Sequence, residues 1–279
     1  MRTFTKVWIG IALMALGFGI AVLGIAFVVG SRSETLAEAS LQETYQAVES
    51  IDLQVGYGKV IIKHGEEFSI NATHLVENSL ESYVENGTWY IKEDPYVSRG
   101  ILGLDISLGN IRRWNRMYNP EIIITVPEGF KAEAFDINVG AGDVRIDSID
   151  AVQGKLSVDA GRLTADRIRM DKESEYRVGA GEMVLKDVEL NGITLKCDVG
   201  HVKVEGILLG ENDISCDVGR IELDLEGDVK DYSYDISSDI GNVTINGKSY
   251  HNEKKSIENE AGNSLLLDCS IGNITVDFQ

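Results

Sequence analysis

Eight copies of one short unit constrain what this chain can fold into more than any other feature of it. The unit is a run of alternating apolar residues, a glycine, and two further apolar residues in alternation. The copies read IDLQVGYGKVII (51–62), FDINVGAGDVRI (135–146), KLSVDAGRLTA (155–165), YRVGAGEMVL (176–185), LKCDVGHVKV (195–204), ISCDVGRIEL (214–223), YDISSDIGNVTI (234–245) and LLDCSIGNITV (267–276). Their glycines are Gly58, Gly142, Gly161, Gly181, Gly200, Gly219, Gly241 and Gly272, and from Gly142 to Gly241 the intervals are 19, 20, 19, 19 and 22 residues.

Aligned on that glycine, the residues sort into columns. Five before it stand Leu53, Ile137, Leu156, Tyr176, Leu195, Ile214, Ile236 and Leu267; three before it, Val55, Val139, Val158, Val178, Cys197, Cys216, Ser238 and Cys269. One before come Tyr57, Ala141, Ala160, Ala180, Val199, Val218, Ile240 and Ile271, and two after, Val60, Val144, Leu163, Met183, Val202, Ile221, Val243 and Ile274. Alternation of period two is the pattern of a strand with one buried face. Because the positions one before and two after are both apolar, the phase slips by one residue at the glycine, which marks a bend or bulge. Each coil therefore reads as two short strands meeting at a corner, with a further apolar touch seven after the glycine at Ile149, Ile168, Val188 and Ile207.

One such coil cannot bury its inner face alone. Coils stacked at about 4.8 Å turn the columns into ladders around a continuous core. The expected fold is all-β, a single-stranded parallel β-solenoid of about 20-residue coils over residues 51–279, forming a rod roughly 40 Å long. A β-sandwich would explain the alternation but not why the same columns recur with the same phase slip.

Ahead of the repeat, Val7 to Ser31 is a run of 25 residues without a charge. As a helix it would extend roughly 37 Å, enough to cross a bilayer. A transmembrane helix over residues 7–30 is expected, since the run exceeds the apolar core of about 7–15 residues of a cleaved signal peptide, for which Ala37-Glu38-Ala39 would supply the site. Arg2 and Lys6 precede the run and Arg32 is the one base close behind it, which places residues 1–6 in the cytoplasm and the solenoid outside. Residues 31–50 read as a stalk, helical from 33, with Leu41, Tyr45 and Val48 on one side. Phe68 to Ala72 reads as a strand, and YVENGTWYI (83–91) as a hairpin turning at Asn86-Gly87. Residues 94–120 form an insertion with neither repeat nor period.

The chain carries 45 acids against 26 bases, a formal charge of −19. Residues 1–30 hold two bases and no acid, so the remainder stands at −21. That charge excludes nucleic acid as a partner and repels an anionic lipid surface from most of the domain. The bilayer is the expected partner of residues 7–30 alone. Three cysteines make no disulfide scaffold. Cys197 and Cys216 are expected as buried free thiols one coil apart, because side chains of adjacent parallel strands run alongside one another.

There is no Gly-x-Ser-x-Gly elbow, His-Glu-x-x-His, Cys-x-x-Cys or phosphate loop, and VGYG and VGAG lack the third glycine and helix of a dinucleotide site. No cofactor is expected. His64, His74, His201 and His251 are scattered, and His201, one past its glycine, reads as solvated. Asp159, Asp198, Asp217 and Asp239 stand two before their glycines. Such a ladder either takes a cation such as calcium or caps the glycine corner through backbone N–H groups; the corner is the expected role, with no metal, and Arg162 and Arg220 are placed to neutralise the acids. In the insertion, Arg112, Arg113, Trp114, Arg116 and Tyr118 combine arginine with aromatics against an acidic background and form the candidate partner-binding patch. Folding over the open end of the solenoid is the competing role for this segment.

The VPEG lead-in at 126–129, the Gly-centred units from 135 onward and the closing GNVTI and GNITV (241–245, 272–276) resemble a family of bacterial membrane-anchored proteins whose domain is labelled a β-strand-repeat "putative adhesin". The resemblance covers most of residues 51–279. It implies an envelope-exposed parallel solenoid linked by its label to adhesion, and it transfers no catalytic residue. The expected function is that of a non-catalytic display or interaction protein of the cell envelope, with an envelope protein or a glycan as partner. One alternative is a polysaccharide-acting β-helix enzyme, which requires a groove with clustered acids and an arginine. The other is a membrane partner subunit of an envelope sensing or regulatory system, whose six cytoplasmic residues would signal only through another protein.

Overall fold

The computed structural model describes residues 38–93 and 119–279. The chain begins with β1 (Glu38–Tyr45), makes a first long strand β2 (Ser50–Gly65), and continues through β3 (Phe68–Val76), β4 (Leu80–Glu85), β5 (Thr88–Glu93) and β6 (Glu121–Pro127). The regular array follows as β7 (Lys131–Ile146), β8 (Ile149–Ala165), β9 (Ile168–Met170), β10 (Ser174–Asn191), β11 (Ile193–Leu209) and β12 (Glu211–Leu225). After a 3-10 turn at Val229–Asp231 come β13 (Tyr232–Ser238), β14 (Asn242–Ile245), β15 (Lys248–His251), β16 (Lys254–Ile257) and β17 (Asn263–Phe278). All of these strands belong to one hydrogen-bonded sheet.

The repeat columns are the register of that sheet. β2, β7, β8, β10, β11, β12 and β17 pair in parallel in that order, with Gly58, Gly142, Gly161, Gly181, Gly200, Gly219 and Gly272 as successive partners. The columns five and three before the glycine and two and four after it are buried in every one of these coils. Each fully buried Val, Leu or Ile in such a ladder contributes about 1.5–3 kcal/mol, so the core grows coil by coil. A Cβ on Gly142, Gly161, Gly181, Gly200, Gly219 or Gly272 would run into the carbonyl oxygen of the glycine one coil away. The corner is thus reserved for glycine by the approach of neighbouring backbones.

At the C-terminal end the stacking order departs from the order along the chain. β17 lies between β12 and the layer made of β13 and β14. The 234–245 unit is therefore the outermost coil, and the 267–276 unit is slotted beneath it. The side chains account for this. β17 offers an unbroken inner face in Leu265, Leu267, Cys269, Ile274 and Val276, all fully buried, whereas the outer unit is interrupted after Ser238, which donates to the Gly241 carbonyl at 2.7 Å. β16 and β15 then pair antiparallel with β13 and β14 and close that end.

The N-terminal end follows the same plan. β5 pairs in parallel with the first half of β2 and β6 with its second half, so together they form one outer layer. β4 and β3 cover β5 and β6 as antiparallel strands. The β4–β5 hairpin turns at Asn86 and Gly87 with φ of 50° and 79°, as that dipeptide leads one to expect. Residues 38–45 are not helical: β1 runs antiparallel to β3, Tyr45 opposite Phe68. Ala39, Leu41 and Tyr45 share a parity, which suits a strand as well as their spacing suits a helix, and they pack partly buried against the core.

The transmembrane span at 7–30 lies outside the described residues. Among the described residues no helix is long and apolar enough to cross a membrane.

Candidate functional site

At the first corner the position before the glycine turns outward. Tyr57, Val199, Val218, Ile271 and Ile240 are 41%, 54%, 45%, 50% and 72% exposed. Val199, Val218 and Ile271 occupy successive coils as register partners, and Ile240 precedes Gly241 in the coil beyond. Four neighbouring rungs therefore carry an apolar ridge roughly 14 Å long at the strand spacing. Alanines hold the same position in the middle coils, at 141, 160 and 180.

Beside the ridge runs the aspartate column. Because β17 is slotted in, Ser270 separates Asp217 from Asp239 just as Gly179 separates Asp159 from Asp198, leaving Asp198 and Asp217 as the adjacent pair. Among the described residues no group of three or more His, Cys, Asp or Glu is placed to hold a metal ion. Asp198 takes the Arg177 guanidinium at 2.8 Å in place of a backbone N–H. Arg162 and Arg220 do not neutralise this column either. Arg162 Nε donates to Glu182 at 2.7 Å and Arg220 lies 3.4 Å from Glu222, on the face past the glycine. His201 stands on that face between Glu182 and Glu222, at 3.9 and 3.6 Å.

Inside the corner, Cys197, Cys216 and Cys269 are buried free thiols on consecutive coils. Hydrogen bonds to the sulfurs of Cys197 and Cys269, together with burial, push the Cys216 thiol far above the ordinary thiol range. A protonated, enclosed thiol is a poor nucleophile and a poor metal ligand.

A second corner follows six residues after the glycine. There His64, Ser148 and Arg167 occupy the same column in three successive coils. His64 Nε2 is in short contact with Ser148 Oγ, and Arg167 Nη2 donates to the same oxygen at 3.2 Å. The Glu128–Phe130 turn between β6 and β7 stands opposite, held by the Phe130 N–H to the Pro127 carbonyl at 3.2 Å, with Gly129 at a φ of 74°. With Asp150 and Arg169 these residues enclose a recess of about 290 Å³. Phe130 is braced edge-on against Phe68, ring centroids 4.8 Å apart.

The family model described as Toastrack DUF4097 matches residues 105–277, which takes in β6 to β16 and all but the end of β17. The chain belongs to the Toastrack DUF4097 family. The match contains the VPEG lead-in and the Gly-centred units on which the resemblance to membrane-anchored adhesin-like domains rests. A solved structure described as a "putative cell adhesion protein" from Clostridium sporogenes is 14% identical, with 87% of this chain and 100% of that one covered and a TM-score of 0.39. A "putative adhesin" from Bacteroides fragilis is 12% identical over 88% and 99%, TM-score 0.43. A "putative lipid binding protein" from Parabacteroides distasonis is 11% identical over 85% and 96%, TM-score 0.42. No curated protein matches the chain. Function therefore has to be read from the residues of this Toastrack domain.

Arg112, Arg113, Trp114, Arg116 and Tyr118 lie outside the described residues. β5 and β6, which bound their segment, meet β2 on either side of the Gly58 corner, where the Lys59 N–H donates to Pro120 O at 2.8 Å. The second-corner recess carries no apolar signal, and nothing in the hydrophobic pattern points to it. What marks it in the sequence is a polar residue at a fixed offset of six from Gly58, Gly142 and Gly161, beside the VPEG turn.

Proposed function

We propose that this Toastrack protein is a non-catalytic interaction protein of the cell envelope, anchored in the membrane by residues 7–30 with the solenoid on the outer side. The observation that carries the reading is the ridge of Val199, Val218, Ile271 and Ile240. Each is at least 45% exposed on an otherwise acidic rod. Val199, Val218 and Ile271 are held in one parallel ladder, and Ile240, in the bend between β13 and β14, is tied to it by its N–H to the Ser270 carbonyl at 3.0 Å. Apolar side chains aligned and held rigidly in water cost the free protein solvation that a partner recovers on contact. The anchoring side of the reading is supported by the uncharged run from Val7 to Ser31 and by the bases that precede it.

Two measurements test it. A Ser215→Cys variant of the full chain should react with a membrane-impermeant maleimide on intact cells; labelling only after lysis overturns the display reading. In a chain lacking residues 1–37, so that the apolar run itself cannot hold it to membranes, the double variant Val218→Asp, Ile271→Asp should lose at least about tenfold in co-sedimentation with envelope fractions of the source organism, since each replaced side chain stands in a desolvated contact. Its melting should stay near that of the wild type, because both side chains are exposed in the free protein. Unchanged co-sedimentation sinks the ridge as the contact surface.

A further inference from the structure

We propose that the recess at the second corner binds the carboxylate of an acidic sugar, a hexuronate or a residue of like chemistry. This gives chemical content to the glycan side of the interaction reading, which supplies only the source of the ligand; the binding chemistry stands on the recess itself.

Three hydrogen-bonding groups in the recess are left unfinished. Arg167 has one partner, the Ser148 hydroxyl at 3.2 Å, and no carboxylate within ion-pair distance among the described residues. Its neighbour Arg169 differs, being matched by Asp187 at 3.6 Å and Glu189 at 3.5 Å. Ser148 Oγ meets both His64 Nε2 and Arg167 Nη2. The tautomer with its proton on Nε2 leaves His64 Nδ1 as a bare acceptor, and Nδ1 is shut off from solvent with no partner. The opposite tautomer would orphan a buried N–H, the costlier arrangement. With both lone pairs of Ser148 taken by donors, its own O–H is free to donate into the recess. A guanidinium fork and a hydroxyl donor converging on one space are a receptor for a planar carboxylate.

The other walls separate a sugar from a simple anion. Glu128 and Asp150 line the same recess. Their charges weigh against any anion, and more heavily against a multiply charged one such as phosphate than against a single carboxylate held by Arg167, while as acceptors they suit the hydroxyl groups of a sugar ring. Phe130 adds an aromatic wall, and about 290 Å³ is at the small end of ligand sites, which suits one ring and not a chain of them.

The test is calorimetric titration of the full chain in detergent micelles with D-glucuronate, D-glucose, acetate and inorganic phosphate at constant ionic strength. Saturable binding of glucuronate is expected, with glucose, acetate and phosphate each at least about tenfold weaker, the order of loss when a charge-assisted contact or a ring of hydroxyl contacts is missing. Arg167→Gln should weaken glucuronate by at least about tenfold on the same ground, while Arg162→Gln, on a different face, should leave it unchanged. Should Arg167→Gln fail to fold, Ser148→Ala replaces it, expected to weaken glucuronate and acetate together because it removes the hydroxyl donor. No saturation, equal binding by glucose, equal binding by acetate or phosphate, or indifference to both recess variants overturns the proposal. Because the titration uses purified protein, it fails or succeeds separately from the labelling and ridge experiments.

Discussion

Gly200 shows how a stacked fold uses its smallest residue. Its backbone is not in the left-handed region, so conformational freedom is not what keeps glycine there. The Gly181 carbonyl occupies the space a Cβ would need, and the same contact recurs at Gly219 and Gly272. Gly200→Val should therefore destabilise the domain by about 1–3 kcal/mol through overpacking, lowering the melting temperature by several degrees in a circular dichroism scan. Gly262→Ala, where a Cβ meets nothing, should melt like the wild type. A Gly200→Val protein as stable as the parent would mean the coils have room to part. The cysteine column makes a second prediction at this scale. Cys197, Cys216 and Cys269 are packed one above another as thiols, their side chains parallel. A thiol count without reductant should give three free groups after denaturation and close to none before it; one group after denaturation would mean that two have joined.

At the scale of elements, the outcome to check is the position of β17. If coils stacked in chain order, removing residues 258–279 would trim a terminal layer and leave the rest intact. With β17 between β12 and the β13–β14 layer, the same truncation removes an inner coil, leaving the outer layer unsupported and the edge of β12 bare. The truncated chain is expected to lose cooperative melting and to aggregate; a soluble product melting like the parent would contradict the slotted order. The repeat made the inward columns and their register legible, because period-two alternation states which side chains face the core. It did not state which coil lies against which, since the apolar columns are interchangeable between layers. The same limit explains β1: Leu41, Tyr45 and Val48 fit a helical face, and only the exposed edge of β3 decides for a strand. It explains the first-corner ridge too, where apolar character alone would turn Val199 and Val218 inward although the bend turns them out. The recess escaped because His64, Ser148 and Arg167 are polar and belong to no apolar column.

For the whole molecule the governing quantity is charge. Forty-five acids against 26 bases leave the rod with a large negative excess. The ion pairs along its faces, such as Lys59 with Glu121 at 2.7 Å, Lys155 with Glu175 at 2.9 Å and Arg162 with Glu182 at 2.7 Å, use only some of the acids. These pairs are exposed, and each is worth about 0–1 kcal/mol at most, so salt has little to remove by weakening them. The unpaired acids repel one another over distances longer than a hydrogen bond, and that repulsion is what salt screens once the Debye length falls below about 10 Å. The two effects have opposite signs, and the excess of acids decides between them. Raising sodium chloride from about 20 mM to about 500 mM should raise the melting temperature. Sodium chloride and choline chloride should act alike if screening is the cause; a sodium-specific gain would point instead to an ion held by particular carboxylates. A melting temperature that falls with salt would show that the paired ladders, not the net charge, control the stability of the rod.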